Sequence, residues 1–391
     1  ILGLSLFPYV YLLTRIAIIN FSARFIEAAK TMGKTPWQCF FKVCLPMAIP
    51  GIAAGLALAL METINDFGVA DFFGLQTLTI GVFQYISVIN DLPSAFSLSL
   101  IILIIMLLLY IFEQKIRGDK KFNNSSYESI QWSRYQLTKG KTIVVFSLSF
   151  LPILFGFFVP LLFNFLIFIN NYEIIDYSNY LSSLYNSIIL GSLVGFFCIL
   201  VSIFINFYSR FSRNKKFLYY KKIINLGYAV PGVVIALGVL IFIKYINQFS
   251  YFTILATLIG LILALIIRLI SISNNSIDSG LEKVGKSIDD ASRLIGRRSS
   301  TTYFRIIIPQ IRLSILAGFL LVFVDTIKEL PITLLLRPFN FDTLATSLYE
   351  YSSNEMFENG SLHALTIILF LSLVIYLFDS VIEKKQILKT R

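Results

Sequence analysis

The sequence predicts an all-α polytopic membrane protein, and three observations support that prediction. The chain of 391 residues is 57% hydrophobic and 14% charged, and it contains 37 phenylalanines. That composition leaves too little polar surface for a soluble domain. Several windows stay apolar over about 18 residues, which is enough to cross a hydrocarbon core as helices. A short polar stretch between apolar runs also occurs twice, which indicates two related halves.

About nine segments are predicted to span the membrane, three in the first half and six in the second. The first is already apolar at residue 1 (ILGLSLFPYVYLL). The segment Pro46–Met61 is rich in Ala and Gly, which predicts a packed interior helix. The other predicted spans are Ser97–Phe112, Thr142–Ile169, Ser187–Phe207, Ala229–Ile243, Phe252–Ile270, Ile311–Val324 and Leu362–Phe378.

The duplicated stretch has the same spacing in both copies. Glu27–Pro46 reads EAAKTMGKTPWQCFFKVCLP, and Asp290–Pro309 reads DASRLIGRRSSTTYFRIIIP. In each copy an acidic residue is followed by Ala, then by Gly six positions on and Pro nineteen positions on. Because the offset between the copies is constant, the stretch marks an internal repeat.

Local propensities predict two short helices at an angle in each copy. In the first, Gly33 suits a left-handed stop after a helix over Arg24–Met32. Thr35 is expected to cap a second helix, Trp37–Val43, that ends near Pro46. In the second copy, Ser287 and Asp290 have capping-box spacing, Gly296 ends the helix, and Ser299 or Ser300 begins the next.

The charge distribution predicts the orientation of the chain. If the duplicated stretches lie inside and the spans alternate, the inner segments hold 30 of the 33 Lys and Arg residues. These segments are Arg15–Leu45, Glu113–Lys141, Arg210–Lys222, Arg268–Arg312 and the tail from Asp379. This positive-inside bias places the duplicated loops and the C-terminus in the cytoplasm. It also explains the net charge of +11 without a nucleic-acid partner.

The polar, Lys- and Ser-rich segment 113–141 is expected to be a cytoplasmic linker between the halves. It would join a first unit at 1–112 to a second at 142–391. Compared with the second half, the first lacks roughly 120 residues before its copy of the stretch, so we expect an N-terminally truncated first repeat. The complete chain would then have about twelve spans in two parallel repeats.

The duplicated stretch resembles the signature loop of ABC-importer permeases, in which E-A-A-x-x-x-G is followed at a distance by L-P. In that family the loop forms a coupling helix that docks in a groove of the ATP-binding subunit. Glu27, Ala28, Ala29 and Gly33 match the signature closely. The second copy keeps Ala291 and Gly296 but has Asp290 for Glu and Ser292 for the second Ala.

This resemblance implies the type I ABC-importer permease fold in a bacterial inner membrane, surrounded by lipid. The expected partners are a cytoplasmic ABC ATPase dimer, which would hold the ATP, and an extracytoplasmic substrate-binding protein. No cofactor is expected on this chain itself. Within the family, the stretches Leu60–Thr79, Asn225–Leu240 and Val324–Thr346 resemble fused iron(III) permeases. Fused thiamine, phosphonate and polyamine permeases share much of the pattern, so these substrates stay open.

Four acids near span ends are candidate path-lining residues. Aligning the halves brings Glu62 onto Asp325 and Asp66 onto Glu329, two acids four residues apart in each half. On a helix this spacing puts both on one face. Charges at membrane depth usually face a cavity or a partner, so the acids would suit a cationic, oxygen-seeking substrate such as Fe(III). An interfacial position is the alternative, and Lys328 is expected to neutralise one acid.

The remaining candidates favour packing over chemistry. His363 is the single histidine, and Cys39, Cys44 and Cys198 do not have metal-ligand spacing. Two Gly-Lys-Thr triplets lack the upstream glycine of a phosphate loop, so no ATPase site is expected here. An ion-coupled secondary transporter would explain buried acids but not the duplicated loop. A structural membrane protein without transport activity is a third alternative.

Overall fold

The computed structural model describes residues 1–117, 137–212, 220–221, 223–225, 227–247, 258–285 and 287–387. Most of the predicted linker 113–141 lies outside these ranges, as do part of the inner segment 210–222, the start of the predicted span 252–270 and the last four residues of the C-terminal tail. Every secondary-structure element assigned within the described ranges is a helix.

The α-helices are numbered in chain order. The first half contains α1 (Leu2–Thr31), α2 (Pro36–Cys39), α3 (Leu45–Asn65), α4 (Gly68–Phe72), α5 (Leu78–Ser87) and α6 (Leu92–Arg117). After the linker follow α7 (Lys139–Ile153), α8 (Val159–Asn171), α9 (Tyr177–Phe211), α10 (Gly232–Asn247), α11 (Leu258–Glu282) and α12 (Ser287–Leu294). The last six are α13 (Ser299–Thr302), α14 (Ile308–Gln310), α15 (Arg312–Ile327), α16 (Pro331–Leu336), α17 (Leu344–Ser353) and α18 (Phe357–Ile387).

Many of these helices are long and apolar enough to cross a membrane, which confirms the polytopic helical class. The described residues contain seven such helices. An eighth span results if Ser299–Gln310 and Arg312–Ile327, bent by 73°, are taken together. The predicted span Ala229–Ile243 corresponds to α10, whose 16 residues are short for a membrane crossing. The total of nine spans therefore stays a prediction.

Three helical runs pass a proline by widening just before it, and the third of them ends one residue after Pro309. Five-residue π-helical turns occupy Phe40–Cys44, Leu154–Phe158 and Tyr303–Ile307, each ending two residues before Pro46, Pro160 or Pro309. In all three, the residue before the proline donates its N–H to the carbonyl five positions back. Proline lacks an N–H, and its ring clashes with the carbonyl four positions back. In the wider turn an N–H group bonds the carbonyl five positions back instead of four, so that the helix can pass the proline.

This geometry corrects one sequence prediction. We expected a short helix Trp37–Val43 to end near Pro46, but α2, the π-turn and α3 form one helical run over Pro36–Asn65. The first helix of the stretch is likewise the last part of α1. In the first copy the duplicated element is therefore the junction of two long helices, whereas the second copy begins with the eight-residue helix α12 and ends in the run Ser299–Gln310, which is bent by 73° from α15. The π-turn explains the error, because proline was expected to end the helix.

Contact clustering divides the chain into two compact units. Unit 1 comprises residues 1–66 and 101–163, and unit 2 comprises residues 67–100 and 164–391. The predicted permease units 1–112 and 142–391 are units of sequence repetition, and they stay a prediction. In unit 1, α3 packs on α1 through small residues. A Cβ at Gly51 would lie 2.7 Å from the Leu13 carbonyl oxygen, and one at Gly55 would lie 2.6 Å from the Val10 Cα.

In unit 2, α9, α11 and α15 pack around an apolar core with a polar stripe. Gly191 and Gly195 admit the rings of Phe323 and Phe319 against α9. Farther along α9, paired side chains join it to α11. They are Ser202 with Ser273 at 2.6 Å and Asn206 with Asn274 at 2.6 Å. Paired polar groups and small residues bring helices close where lipid supplies no hydrophobic drive for association.

Candidate functional site

The two copies of the duplicated stretch, Glu27–Pro46 and Asp290–Pro309, are called the first and second docking elements after their predicted role. The first contains the end of α1, as the sequence predicts. Glu27 and Ala28 are exposed on its last turns, and Ala29 is buried. Gly33 has a φ of 76°, its N–H donates to the Lys30 carbonyl at 2.9 Å, and the Lys34 N–H donates to the Ala29 carbonyl at 3.1 Å. This pair of hydrogen bonds is the Schellman motif, which needs a left-handed residue at the position of Gly33.

A capping box begins the following helix. The Gln38 N–H donates to Thr35 Oγ1 at 3.4 Å, and the Thr35 N–H donates to Gln38 Oε1 at 3.2 Å. Pro36 occupies the first helical turn, where its missing N–H costs nothing. The predicted cap is therefore confirmed, and only residues 32–35 separate the two long helices.

The second docking element repeats this backbone at a distance of 263 residues. Gly296 also has a φ of 76°, its N–H donates to the Arg293 carbonyl at 2.9 Å, and the Arg297 N–H donates to the Ser292 carbonyl at 3.1 Å. Asp290 and Ala291 are exposed, like their counterparts in the first element. Ser299 begins the next helix, as expected, whereas Ser287 lies inside α12 and not before it.

The weaker sequence match of the second element has a structural compensation. Ser292, which replaces the second alanine, is buried, and its hydroxyl lies 2.5 Å from the hydroxyl of Thr302. The equivalent positions of the first element are Ala29 and Cys39, both also buried. An apolar pair in one copy is thus replaced by a hydrogen-bonded polar pair in the other, and the buried site is satisfied in both.

Arg210, at the end of α9, holds the second docking element. Its Nε donates to Asp289 Oδ2 at 2.8 Å, and both side chains are 9% exposed. Its two terminal nitrogens donate to the carbonyls of Leu281, Val284 and Gly285 at 3.1–3.3 Å. The sequence analysis missed this contact, although Asp289 stands beside the predicted acid. In the first element the position of Asp289 is taken by Ile26.

Both elements expose large apolar side chains. Met32 and Ile295, which are equivalent, are 77% and 75% exposed, and Trp37 and Leu294 are 73% and 89% exposed. Such side chains on an otherwise polar loop are typical of protein-binding surfaces, where aromatic residues and methionine are enriched. The sequence analysis used only the signature residues and did not single out these four.

Two of the four acids take positions that the helical spacing did not predict. Asp66 is the C-cap of α3, and Glu329 lies two residues beyond the end of α15. The second acid of each half is therefore outside the helix, and the prediction that each pair shares one helical face is wrong. The span ends before the second acid because the backbone turns into a further short helix.

Asp325 and Glu329 both have cationic partners. Asp325 lies 2.7 Å from Lys328 in a partly exposed pair, as predicted. Glu329 Oε1 accepts from Arg268 at 2.7 Å, with side chains that are 8% and 6% exposed. Gly232 makes room for this second pair, because a Cβ there would lie 2.3 Å from Arg268 NH1 and 2.8 Å from Glu329 Oε1.

The position of Arg268 corrects the predicted inner segment Arg268–Arg312. Arg268 lies in the middle of α11, which continues to Glu282. Its charge is neutralised inside unit 2 and is not on a loop, so it does not belong to the positive-inside count. The sequence analysis took a cation after an apolar run as the end of the span. An internal ion pair was the alternative that it did not consider.

The predicted packing roles of the histidine and cysteines agree with their surroundings. His363 is buried between Tyr180 and Tyr351, with both ring centroids 5.4 Å from its own, and its Nδ1 lies 3.0 Å from the Asn359 carbonyl. All three cysteines are free and buried. In the part of the chain that the structure describes, no group of three or more His, Cys, Asp or Glu side chains could hold a metal ion.

The chain matches the family described as "Binding-protein-dependent transport system inner membrane component" over residues 1–118 and 199–387. It is 25% identical over 387 residues to an Fe(3+)-transport system permease protein, FbpB 2, of Haemophilus influenzae, covering 96% of this chain and 74% of that protein. It is 31% identical over 86 residues to the molybdenum transport system permease protein ModB of H. influenzae, which is 20% of this chain and 38% of that protein. It is 28% identical over 121 residues to the spermidine/putrescine transport system permease protein PotC of Escherichia coli, 30% of this chain and 46% of that protein.

The buried ion pair predicts a large effect of a small change. Glu329→Gln removes the negative charge but keeps the shape, so the Arg268 charge is left buried without its counterion. We expect a loss of unfolding free energy on the order of 3 kcal/mol. Asp325→Asn, at the more exposed pair with Lys328, should cost at most about 1 kcal/mol. Thermal unfolding of the purified protein in detergent measures both, and equal effects would contradict the difference in burial.

The hydrogen-bonded pair Ser292–Thr302 predicts non-additive mutational effects. Ser292→Ala alone removes one partner of a buried bond and should cost about 1 kcal/mol. The double change Ser292→Ala with Thr302→Cys reproduces the pair found in the first element, and it should restore much of that loss. A double-mutant cycle on unfolding temperature tests this, and strictly additive losses would show that the two hydroxyls are not coupled.

Proposed function

The chain belongs to the family of binding-protein-dependent transport system inner membrane components, and on that premise we propose that it is a fused permease subunit that carries iron(III) into the cytoplasm. It would form the membrane pathway of an ATP-driven ABC importer. The observation that carries the proposal is the pair of docking elements, in which the same backbone recurs 263 residues apart. A permease that works on two ATPase subunits needs two such elements.

The rest of each half supports two parallel repeats of the type I permease fold. In both halves a π-turn precedes Pro46 or Pro309, and a span follows. The residue after the second acid has nearly the same backbone in both, with φ and ψ of −108° and −50° at Phe67 and −105° and −55° at Leu330. Threonine then caps a ten-residue helix in each half, Thr77 before α5 and Thr343 before α17.

We propose that the exposed apolar side chains of the two elements enter grooves of a cytoplasmic ATPase dimer. The signature residues Glu27, Ala28, Ala29, Gly33, Asp290, Ala291 and Gly296 would set the shape and charge of this contact. ATP would be bound and hydrolysed by that partner. A substrate-binding protein would deliver the cargo on the opposite side of the membrane.

Iron(III) is the favoured cargo because the similarity to the iron permease covers 96% of this chain. The relatives named for molybdenum and for spermidine and putrescine match 20% and 30% of it. Glu62, Asp66, Asp325 and Glu329 stay candidate path-lining acids. A cation passing the second half would have to compete with Lys328 at Asp325 and with Arg268 at Glu329. A polyamine is the second candidate, since it is also cationic; thiamine and phosphonates are further cargoes for the same test.

Uptake into proteoliposomes tests the proposal. The chain is reconstituted with its ATPase and binding protein, and radioactive iron(III) is supplied outside with ATP enclosed. We expect uptake that needs both ATP hydrolysis and the binding protein. An excess of spermidine, thiamine or phosphonate should leave iron uptake unchanged. Uptake of a competitor instead would reassign the cargo, and uptake driven by an ion gradient without ATP would favour a secondary transporter.

The left-handed glycines predict a specific coupling defect. Gly33→Val and Gly296→Val put a β-branched residue at a φ of 76°, so the docking backbone should be distorted. We expect each variant to insert normally but to lose most binding-protein-stimulated ATPase activity and uptake. Gly74→Val is the matched control, because Gly74 has a φ of 65° and open space around it but lies between α4 and α5.

If Gly74→Val impaired ATPase binding as strongly as the two docking variants, general backbone strain would explain all three. Asn tolerates the left-handed region, so Gly33→Asn should keep much of the activity. Pull-down of the ATPase by each variant separates a docking defect from a transport defect.

A further inference from the structure

Equivalent residues of the two halves belong to one apolar cluster of unit 2. Phe67 corresponds to Leu330 at the 263-residue offset, and Phe83 corresponds to Tyr349 after the three-residue shift. All four belong to the same cluster. Phe67 is 2% exposed, and its ring centroid lies 4.6 Å from that of Phe83 and 5.4 Å from that of Tyr349. A Cβ at Gly68 would lie 3.2 Å from Leu330 Cδ2.

The segment that carries Phe67 and Phe83 contacts the equivalent segment of the second half, through Phe67 with Tyr349 and Gly68 with Leu330. When two copies of a unit are related by a two-fold axis, a segment that meets its own equivalent lies at that axis. In transporters built from repeats, the cargo crosses at the interface between the repeats. The cluster of Phe67, Phe83, Leu330 and Tyr349 therefore lies where a cargo would have to pass, and its side chains fill that place.

A hydrogen bond joins the halves at this cluster. Tyr349 Oη donates to Asp71 Oδ2 at 2.7 Å, across 278 positions of sequence. Burial and, after it, the bond to Asp71 raise the pKa of Tyr349 to about 12. The hydroxyl is therefore protonated at neutral pH and acts as the donor. Bonds from a hydroxyl to a carboxylate are among the stronger ones in proteins.

The cluster lies at the opposite end of unit 2 from the docking element. Near one end of α9, Arg210 binds Asp289 of the second docking element. Near the other end, Asn179 donates to the hydroxyl of Tyr351, two residues from Tyr349 on α17, at 2.8 Å. The 31 positions between Asn179 and Arg210 correspond to about 45 Å of helix. That exceeds the roughly 30 Å of a hydrocarbon core, so the two sites lie on opposite sides of the membrane.

We propose that Phe67, Phe83, Leu330 and Tyr349 form the outer constriction of the translocation pathway, and that the Tyr349–Asp71 bond latches it shut. The assignment rests on the proposed transport function and adds to it the residues that seal the pathway. Cargo from a binding protein would enter only after this bond breaks and the aromatic rings separate. The phenylalanine and leucine side chains exclude water and ions, and the bond holds the two halves together.

Removing the latch should uncouple the transporter. Tyr349→Phe keeps the ring in the cluster but deletes the donor, and Asp71→Asn weakens the acceptor. Loss of a bond to a charged group should raise the open fraction about ten-fold. We expect a similar rise in ATPase activity without the binding protein and in passive leakage of iron(III) from loaded proteoliposomes. The matched control is Tyr351→Phe, whose hydroxyl bonds only within the second half, with Asn179, and which should leave both readouts unchanged.

A cross-link tests the constriction without touching the latch. Gly68→Cys with Leu330→Cys is made in a background where Cys39, Cys44 and Cys198 are replaced by alanine. Oxidising the two thiols to a disulfide with an added oxidant should stop ATP-driven uptake, and a reductant should restore the uptake. The outcome stays informative if Tyr349→Phe fails to fold, because this variant keeps both latch residues.

The outcomes separate the two proposals. If the unmodified protein shows no uptake that depends on ATP and the binding protein, the proposed function fails. If it does, but Tyr349→Phe behaves like Tyr351→Phe and the cross-linked protein still transports, the constriction is overturned. Leakage that rises equally in Tyr349→Phe and Tyr351→Phe would also overturn it, since the effect would then not depend on the bond between the halves.

Discussion

A hydrocarbon interior offers backbone groups no partner outside the protein, and much of this structure follows from that constraint. Each span must keep its N–H and C=O groups paired, yet the sequence places prolines within several of them. The π-turns before Pro46, Pro160 and Pro309 allow the helices to continue past residues that cannot donate. Where the chain does turn, the ends are paired by Schellman bonds at Gly33 and Gly296 or by threonine caps at Thr77 and Thr343. Each docking element contains such a paired helix end, at the end of α1 in the first copy and at the end of α12 in the second.

Buried charge follows a related rule. Arg268 is buried and the side chain of Arg210 is 9% exposed, and both are paired, the first with Glu329 and the second with Asp289 and three carbonyls. An unpaired charge in such surroundings would cost several kcal/mol, so the pairs constrain which helices can lie together. The two docking elements differ here, because Ile26 replaces Asp289 in the first. The two docking elements thus have the same backbone conformation at their glycines but different side-chain contacts.

The sequence was sufficient for features that depend on local chemistry. A glycine six positions after an acid, a threonine before a proline and long apolar runs each predicted an element that the structure contains. It failed where distant residues decide the outcome. Arg268 was taken as the end of a span because its partner Glu329 is 61 positions away, and Pro46 was taken as a helix end because a π-turn leaves no compositional mark. The Ser292–Thr302 pair could have been noticed, since both positions change together between the copies.

The length of α9 connects these observations mechanically. One helix of 35 residues contacts the docking element through Arg210 and α17 through Ser187, whose hydroxyl accepts from the Leu344 N–H at 2.8 Å. A continuous hydrogen-bonded helix transmits displacement with little loss, whereas a loop would absorb it. Movement imposed on the docking element would therefore reach α17 directly, and with it the bond between Tyr349 and Asp71. Within unit 2, the single helix α9 therefore connects the second docking element with the helix that carries Tyr349 of the proposed constriction.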